Sequence, residues 1–373
     1  MIEGIDLKIE KHNEQIDTRD INLDIIRCVA MFMVIMVHTM GNLAVFAEPY
    51  NKMWYVSEIT NSVVFACNGL FFLLSGYLIL DKNISDMKAF YLRKSIKIGI
   101  PFFIISFVYY LRTLYFGGNL TIVLVLKNIS DFIMQFLTGN ISSHFWFMYY
   151  LIGAYTMSPF LGKMVRNLTD DELKKFTIVC FGLQTFITTI SFTKWSFYHQ
   201  AFLTFGIINW MFYFLLGYTI KRLVPTKKIK SYTLMIAFIA ALIIVMLEKR
   251  FISVTNPYID NQSPTMIITT IAIFLLLRDY VKISSDKLRR IINYLAKHSF
   301  TVYMMHIIVL GRLIPFFIGK MDSGWDIILY GGIGYLGVCA VTIAVSVVLD
   351  SFILNPIIRR VMKCKRYVLG RPN

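Results

Sequence analysis

The sequence predicts an all-α protein, a polytopic membrane helix bundle of about ten transmembrane helices. Hydrophobic residues make up 57% of the 373 residues and charged residues only 16%, whereas a soluble domain carries about a quarter charged residues. The mean hydropathy is +0.62. Apolar runs of about 20 residues, each long enough to cross a bilayer, recur from one end of the chain to the other.

Ten apolar runs define the predicted spans: 23–45, 59–80, 98–117, 144–163, 176–192, 204–222, 231–247, 263–281, 298–319 and 326–355. The last run is overlong for one crossing, and its glycine-rich stretch from Tyr330 to Gly337 is a candidate break or tilt. A further apolar segment, Thr121 to Leu137, is interrupted by Lys127 and Asp131. We interpret it as an interfacial helix outside the membrane; counting it as a span would give eleven.

The distribution of lysine and arginine predicts the orientation, because cytosolic loops carry an excess of these residues. With the N-terminus in the cytosol, 29 of the 38 lysines and arginines fall in inside segments and 6 in outside segments. Both chain ends are then cytosolic, as a tail over 1–22 and a basic tail over 356–373 that flank a transmembrane domain over 23–355. The net charge of +16 is thus explained by topology rather than by nucleic-acid binding.

The cysteines argue against a disulfide-stabilised or metal-binding protein, and the N-terminus argues against a cleaved signal peptide. The five cysteines are scattered without metal-ligand spacing, which argues against a disulfide framework and against a metal site. The first 20 residues are polar and mixed in charge, and they contain no apolar signal-peptide core. The first apolar run is therefore expected to remain as a membrane anchor.

Two ionisable residues, Arg27 and His38, bound the apolar stretch RCVAMFMVIMVH of the first span. Eleven residues of α-helix turn through about 1,100°, so both side chains lie on one face, about 16 Å apart along the axis. Ionisable groups inside a membrane are costly in free energy, so they face the interior of the bundle and usually have a function. Asp24 lies one turn before Arg27 and is its candidate partner. The alternatives are an Arg27 that snorkels to the headgroups and a His38 that is merely packed.

Five motifs, in order along the chain, resemble those of the acyltransferase-3 membrane family. They are the Arg27 to His38 stretch, FFLLSGYLI at Phe71 to Ile79, FYLRKSIKIGIP at Phe90 to Pro101, HFWFMYYLIGAYTMSP at His144 to Pro159, and SFTVYMMH at Ser299 to His306. Each motif alone is weak, but the ordered set over about 280 residues is fairly specific.

The resemblance implies an integral-membrane O-acyltransferase that moves an acyl group, usually acetyl, from cytosolic acyl-CoA to a hydroxyl of a surface polysaccharide or lipid-linked oligosaccharide. Acetyl-CoA would be the donor substrate, with no permanently bound cofactor, and the protein would be a multi-pass protein of the bacterial plasma membrane. His38 matches the family's catalytic histidine. Arg27 and the basic entry to the third span match residues that hold the donor.

The residue chemistry fits this function on physical grounds. Coenzyme A carries phosphates that need cations at the cytosolic face, and the chain supplies Arg93, Lys94 and Lys97 there. The pantetheine arm is comparable in length to the rise from Arg27 to His38. A neutral imidazole at His38 can take the proton from an acceptor hydroxyl as its oxygen attacks the thioester carbonyl. The same basic cluster is also a positive-inside signal, and the two interpretations are compatible.

Other motif residues keep two interpretations each. Tyr155 matches the tyrosine of the fourth-span motif, either to orient or receive the acyl group or as a packed tyrosine. His306, with Tyr303 one turn before it, is either a second catalytic residue or part of a hydrogen-bonded core pair. Ser75 and Gly76 are expected to allow close helix packing. Two arginines, in or at the ends of spans, are candidates for an acceptor vestibule or for snorkelling end charges: Arg112 and Arg312.

The sequence also departs from the family pattern. Lys94 and Lys97 stand where the family carries paired arginines, and Leu151 and Ile152 stand where one branch carries two glutamates. No carboxylate partner for the histidine is therefore supplied there. Intramembrane charges also mark transport paths, so a transporter or flippase is the second hypothesis, although corresponding broken helices are absent. A small-molecule-binding membrane module is the third.

Overall fold

The computed structural model describes residues 20–46, 48, 51–116, 128–191, 209–251, 261–321 and 324–368, and these ranges contain helices and turns but no strand. The first eight helices are α1 Ile21–His38, α2 Lys52–Val64, α3 Ala66–Ile79, α4 Met87–Lys94, α5 Ile100–Phe116, α6 Ile129–Thr138, α7 Trp146–Asn167 and α8 Asp170–Ser191. The next seven are α9 Trp210–Leu223, α10 Ser231–Phe251, α11 Pro264–Tyr280, α12 Asp286–Leu313, α13 Pro315–Ile318, α14 Gly324–Leu349 and α15 Asn355–Val368.

Four short helical turns interrupt this order. Two are 3₁₀ turns, Gly41–Phe46 after α1 and Ser143–Phe145 before α7. The other two are π-helical, Ser95–Gly99 between α4 and α5 and Asp350–Leu354 between α14 and α15. Such π turns occur often at functional sites, and the first of them carries Lys97.

The predicted all-α class is confirmed, and each predicted span interval contains a helix of the structure. Within the described ranges, five helical segments are long and apolar enough to cross a membrane: Ile21–Leu43, Lys52–Ile79, Met87–Tyr115, Ser231–Glu248 and Trp325–Lys363. The count of ten crossings and the cytosolic position of both ends stay predictions.

Two details of the predicted spans are now defined. Helix α14 runs unbroken through Tyr330 to Gly337, so the candidate break there is absent, and the irregularity comes later at the π turn Asp350–Leu354. The described part of the proposed interfacial segment is α6, which buries Phe132 against α5 and leaves Leu137 exposed. Lys127 lies outside the described residues.

Helix α1 lies at the centre of the bundle and packs against α3, α11 and α12. Its sequence explains this position, because buried apolar side chains recur every three to four residues: Leu23, Ile26, Ala30, Met31, Val34 and Ile35. The N-cap Asp20 accepts a hydrogen bond from the backbone N–H of Asn22, which fixes the start of the helix. The face that carries Arg27 is thereby turned towards α3 and α12.

Helices α3 and α9 pack closely through two glycines. A Cβ at Gly76 would clash with the backbone of Phe214, and a Cβ at Gly217 would clash with the backbone of Leu73. Small residues let helix backbones approach in this way. The predicted packing role of Gly76 is confirmed, and the contact holds α3 firmly as one wall of the site described below.

The outward surface of α10 is apolar. Ile236, Ile239, Ile243 and Leu247 follow one another at helical spacing, and about half or more of each side chain is exposed. Soluble monomers rarely expose a continuous apolar stripe of this length. The stripe has the character of a surface that faces lipid.

Candidate active site

A basic cavity of about 540 Å³ opens beside the loop from α3 to α4. Four cationic residues line it, together with one carboxylate from Asp86: Lys82, Arg93, Lys94 and Lys97. Arg93 and Lys97 are exposed and Lys94 is half-buried. The excess of positive charge suits a ligand that carries several phosphates.

Backbone contacts hold this cavity open. The Asp86 side chain caps α4 by accepting from the N–H of Ala89 at 2.8 Å. Arg166 of α7 donates to the carbonyl oxygens of Leu80 at 2.6 Å and Lys82 at 2.8 Å. The loop is thereby fixed, and Lys82 is placed in the cavity wall. Sequence analysis placed Lys82 only in the predicted cytosolic segment between the second and third spans and did not predict it as a residue that lines the cavity.

A second cavity of about 370 Å³ continues the first into the bundle. The two cavities share five lining residues: Ile79, Lys82, Lys94, Lys97 and Ile98. The deeper walls are mainly apolar, from α3 and α7: Leu74, Leu78, Phe147, Met148 and Leu151. Together the cavities form one passage, with a basic mouth and an apolar inner part.

Arg27 lies on the wall of the inner cavity. Its Nη1 atom is 2.7 Å from Asp24 Oδ1, and 27% of its side chain is exposed. The predicted pairing with Asp24 is therefore present. The guanidinium keeps part of its surface towards the cavity, where it can meet a ligand anion as well as its own carboxylate.

Tyr155 lies on the same wall, towards the basic mouth. Lys94 Nζ is 3.7 Å from the centre of the Tyr155 ring, which is cation–π geometry. The Tyr155 hydroxyl is 3.4 Å from Ser75 Oγ, a long hydrogen bond. The structure thus groups Tyr155 with the cations of the basic mouth.

Three histidines form a cluster beyond the inner cavity. The ring of His306 lies 5.1 Å from the His38 ring and 5.2 Å from the His144 ring, between ring centres. Tyr303 lines the inner cavity, and the centre of its ring is 5.8 Å from the ring centres of both His144 and His306. His38 is partly exposed, whereas His144 and His306 are buried. The histidine cluster is thus His38, His144 and His306.

Hydrogen bonds hold two of these rings. His306 Nδ1 is 2.5 Å from the carbonyl oxygen of Tyr303, and His306 Nε2 has no hydrogen-bond partner in the described part of the chain. His144 Nδ1 is 2.9 Å from Ser142 Oγ, and its Nε2 is 3.4 Å from the carbonyl oxygen of Met304. The Tyr303 hydroxyl donates to the backbone oxygen of His144. Tyr303 and His306 therefore do not form a side-chain pair.

Sequence analysis placed His38 and His306 in the site but did not single out His144. The signal that could have identified His144 is its place at the start of the fourth-span motif, where a histidine precedes a run of aromatic residues. No carboxylate of the described residues hydrogen-bonds to the three rings, and those residues include no group of His, Cys, Asp or Glu placed to hold a metal ion. Backbone carbonyls, together with the Ser142 hydroxyl, orient the rings of His144 and His306 instead.

The two arginines considered for an acceptor vestibule lie near one another. Arg312 is exposed at the end of α12, and Arg112 Nη2 is 3.5 Å from the position that a Cβ on the adjacent Gly311 would take. The Arg112 guanidinium therefore lies beside α12 at the residue before Arg312, beyond His306. Whether they contact an acceptor stays a prediction.

Comparison with known proteins gives the family. The model of the acyltransferase-3 family, described as an acyltransferase domain, matches residues 20–350, which include α1 to α14, both cavities and the histidine cluster. The chain therefore belongs to the acyltransferase-3 family. Neither the curated proteins nor the solved structures that were searched gave a match. Family and apolar helices together indicate a membrane acyltransferase.

Proposed function

We propose that the protein is an O-acetyltransferase of the bacterial plasma membrane, crossing it ten times with both ends in the cytosol. It would transfer acetyl from cytosolic acetyl-CoA to a hydroxyl of a surface polysaccharide or lipid-linked oligosaccharide. The observation that supports this most is the continuous passage from a basic mouth to Tyr303, whose ring lies 5.8 Å from the rings of His144 and His306. Its polarity matches that of the donor, a phosphate-rich head on a thin arm.

The donor head would occupy the basic mouth. Lys94 and Lys97 line both cavities, so they can meet the phosphates at the point where the arm enters. Lysine ammonium groups act here as point charges rather than as the bidentate forks of arginine. Arg27 lies deeper, where it can contact the last phosphate or the first amide of the arm.

The arm would cross the apolar inner cavity and bring the thioester to the histidine cluster. Helix α1 is continuous from Ile21 to His38, so Arg27 and His38 share a face and are about 16 Å apart along the axis. His38 takes the proton of the acceptor hydroxyl, whose oxygen forms the new bond to the acetyl carbon. The carbon–sulfur bond breaks, and the leaving thiolate takes the proton back from His38.

The acceptor would reach His38 from the opposite side, because His38 is the partly exposed ring of the cluster. Arg112 and Arg312 would then meet the hydroxyl-rich or anionic glycan outside. This direction requires the predicted topology. Reporters after Asn373 and in the 222–230 loop are expected to report cytosol, and a tag near Asp322 is expected to be labelled from outside. Cytosolic labelling near Asp322 would overturn the ten-span topology.

The activity is tested with inside-out vesicles that receive radiolabelled acetyl-CoA. We expect label to appear covalently on glycan with the wild-type protein and to be lost with His38→Ala. Ile239→Ala, on the lipid-facing stripe of α10, is the matched control and is expected to behave as wild type. Uptake of a substrate without covalent transfer would identify a transporter instead and would contradict the proposal.

A further inference from the structure

We propose that His144 is a positioning residue: it fixes the turn of α12 from Tyr303 to His306, and so sets which nitrogen of His306 faces His38. The proposal rests on the proposed function for its catalytic meaning. It concerns a residue to which neither the motif resemblance nor the family match gives a role.

His144 holds α12 at two adjacent residues, from 160 positions away in the chain. Its ring approaches the carbonyl oxygen of Met304, and its backbone oxygen accepts the hydroxyl of Tyr303. Tyr109 of α5 adds a third contact, because its hydroxyl donates to the same Met304 oxygen at 2.7 Å. All of these groups are buried, so water does not compete for them.

The acceptors define the proton positions. His144 Nε2 faces two oxygens, the Met304 carbonyl at 3.4 Å and the Tyr109 hydroxyl at 3.5 Å, and Tyr109 already donates its hydrogen to Met304. Both oxygens favour a hydrogen on His144 Nε2, and His144 Nδ1 then accepts from the Ser142 hydroxyl. In the same way, the carbonyl of Tyr303 requires a hydrogen on His306 Nδ1. His306 Nε2 is therefore the nitrogen with a lone pair, and it is buried without a partner among the described residues.

A buried acceptor without a donor is costly, and such a group in a native structure calls for an explanation. His38 offers one. Its ring lies 5.1 Å from the His306 ring and makes no hydrogen bond to the described residues. A rotation of the partly exposed His38 side chain would let its N–H donate to His306 Nε2. The other nitrogen of His38 would then present its lone pair to the acceptor hydroxyl.

In this arrangement His306 orients His38 as a carboxylate orients the base of a Ser-His-Asp triad. The arrangement accounts for the absence of the fourth-span glutamates, since a neutral imidazole acceptor supplies the same contact. His144 acts one step further away, because loss of its ring would leave the Met304 oxygen held by Tyr109 alone and let the turn that carries His306 shift.

The test compares variants of the purified protein in lipid nanodiscs. His144→Met keeps the volume but removes both ring nitrogens. We expect kcat to fall about 10–100-fold, because a misplacement of about 1 Å at the reacting groups can cost about 10²-fold. The dissociation constant of acetyl-CoA is expected to stay within twofold of wild type. His144→Gln keeps an N–H donor for Met304 and is expected to recover most of kcat. Ile239→Ala is the control for insertion.

A second readout does not depend on activity. With ¹⁵N-labelled histidine, we expect the His306 ring of the wild-type protein to be protonated at Nδ1. In the His144→Met variant, we expect the His306 ring to be a mixture of both tautomers. Ser142→Ala removes the contact to His144 Nδ1 and is expected to shift the His306 tautomers in the same direction by a smaller amount. It serves as the test if His144→Met does not fold. An unchanged His306 tautomer in either folded variant, or a wild-type kcat in His144→Met, would overturn the proposal. A wild-type protein with the expected tautomers but no acetyl transfer would contradict only the proposed function.

Discussion

The two ends of the passage differ in how they are built. The basic mouth carries four cations, three of them exposed, at the edge of an open cavity. The histidine cluster is mostly buried, and each contact to His144 and His306 is made by one named atom. In the proposed function, binding at the mouth would therefore be shared among several charges, whereas chemistry at the cluster would depend on single nitrogens. Substitutions at the cluster should therefore lower the rate of transfer, whereas substitutions at the mouth should weaken binding of acetyl-CoA.

The largest effect is expected at the cluster. His38→Ala should lower the rate of acetyl transfer about 10²–10⁴-fold, as removal of a general base does. The affinity for acetyl-CoA should stay near wild type, because the donor's charges are bound at the other end of the passage. Single-turnover transfer and equilibrium binding in the same preparation measure both. If His38→Ala turns over at the wild-type rate, His38 is a packed residue, and His306→Ala then identifies whether the rival base carries the reaction.

An intermediate effect is expected at the mouth. Lys94→Ala combined with Lys97→Ala should raise the apparent KM for acetyl-CoA about tenfold at low salt, because one or two charge-assisted contacts to the donor's phosphates are lost. The difference from wild type should shrink as salt rises, because exposed charge contacts are screened. Lys94→Arg with Lys97→Arg is the matched control and should keep most of the affinity. Unchanged donor affinity in the well-inserted alanine variant would remove these lysines from the donor site.

The smallest effect is expected at Tyr155, which lies between the two regions. Tyr155→Phe keeps the ring beneath Lys94 and loses only a long hydrogen bond to Ser75, so transfer should fall less than about threefold. Tyr155→Leu removes the ring and should raise the KM for acetyl-CoA more than it lowers kcat. Abolished transfer in Tyr155→Phe would instead mean that the hydroxyl orients or receives the acyl group.

Local patterns were enough to predict the helices and the ends of the passage. Apolar runs of membrane length gave the helical intervals, and helical periodicity placed Arg27 and His38 on one face with Asp24 as the partner of Arg27. These features depend on residues within a few turns of one another. Three of the predicted donor-binding residues line the passage together for the same reason, since they lie within five positions of one another: Arg93, Lys94 and Lys97.

The remaining site features depend on contacts between distant segments. His144, His306 and His38 meet only because α1, α12 and the turn before α7 pack together, and no periodicity within one helix reveals that meeting. Lys82 enters the cavity wall because Arg166 binds the backbone of its loop. Neither contact has a local signature, so the position of His144 in the cluster and the place of Lys82 came from the structure.

The most direct test is the structure of the protein with an acetyl-CoA analogue in which a methylene replaces the thioester sulfur, so that no transfer occurs. We expect the phosphates among Lys82, Lys94 and Lys97, the arm in the cavity lined by Leu74 and Phe147, and the acetyl carbonyl beside His38. An analogue bound outside this passage, or one whose acetyl group lies away from the histidine cluster, would contradict the account.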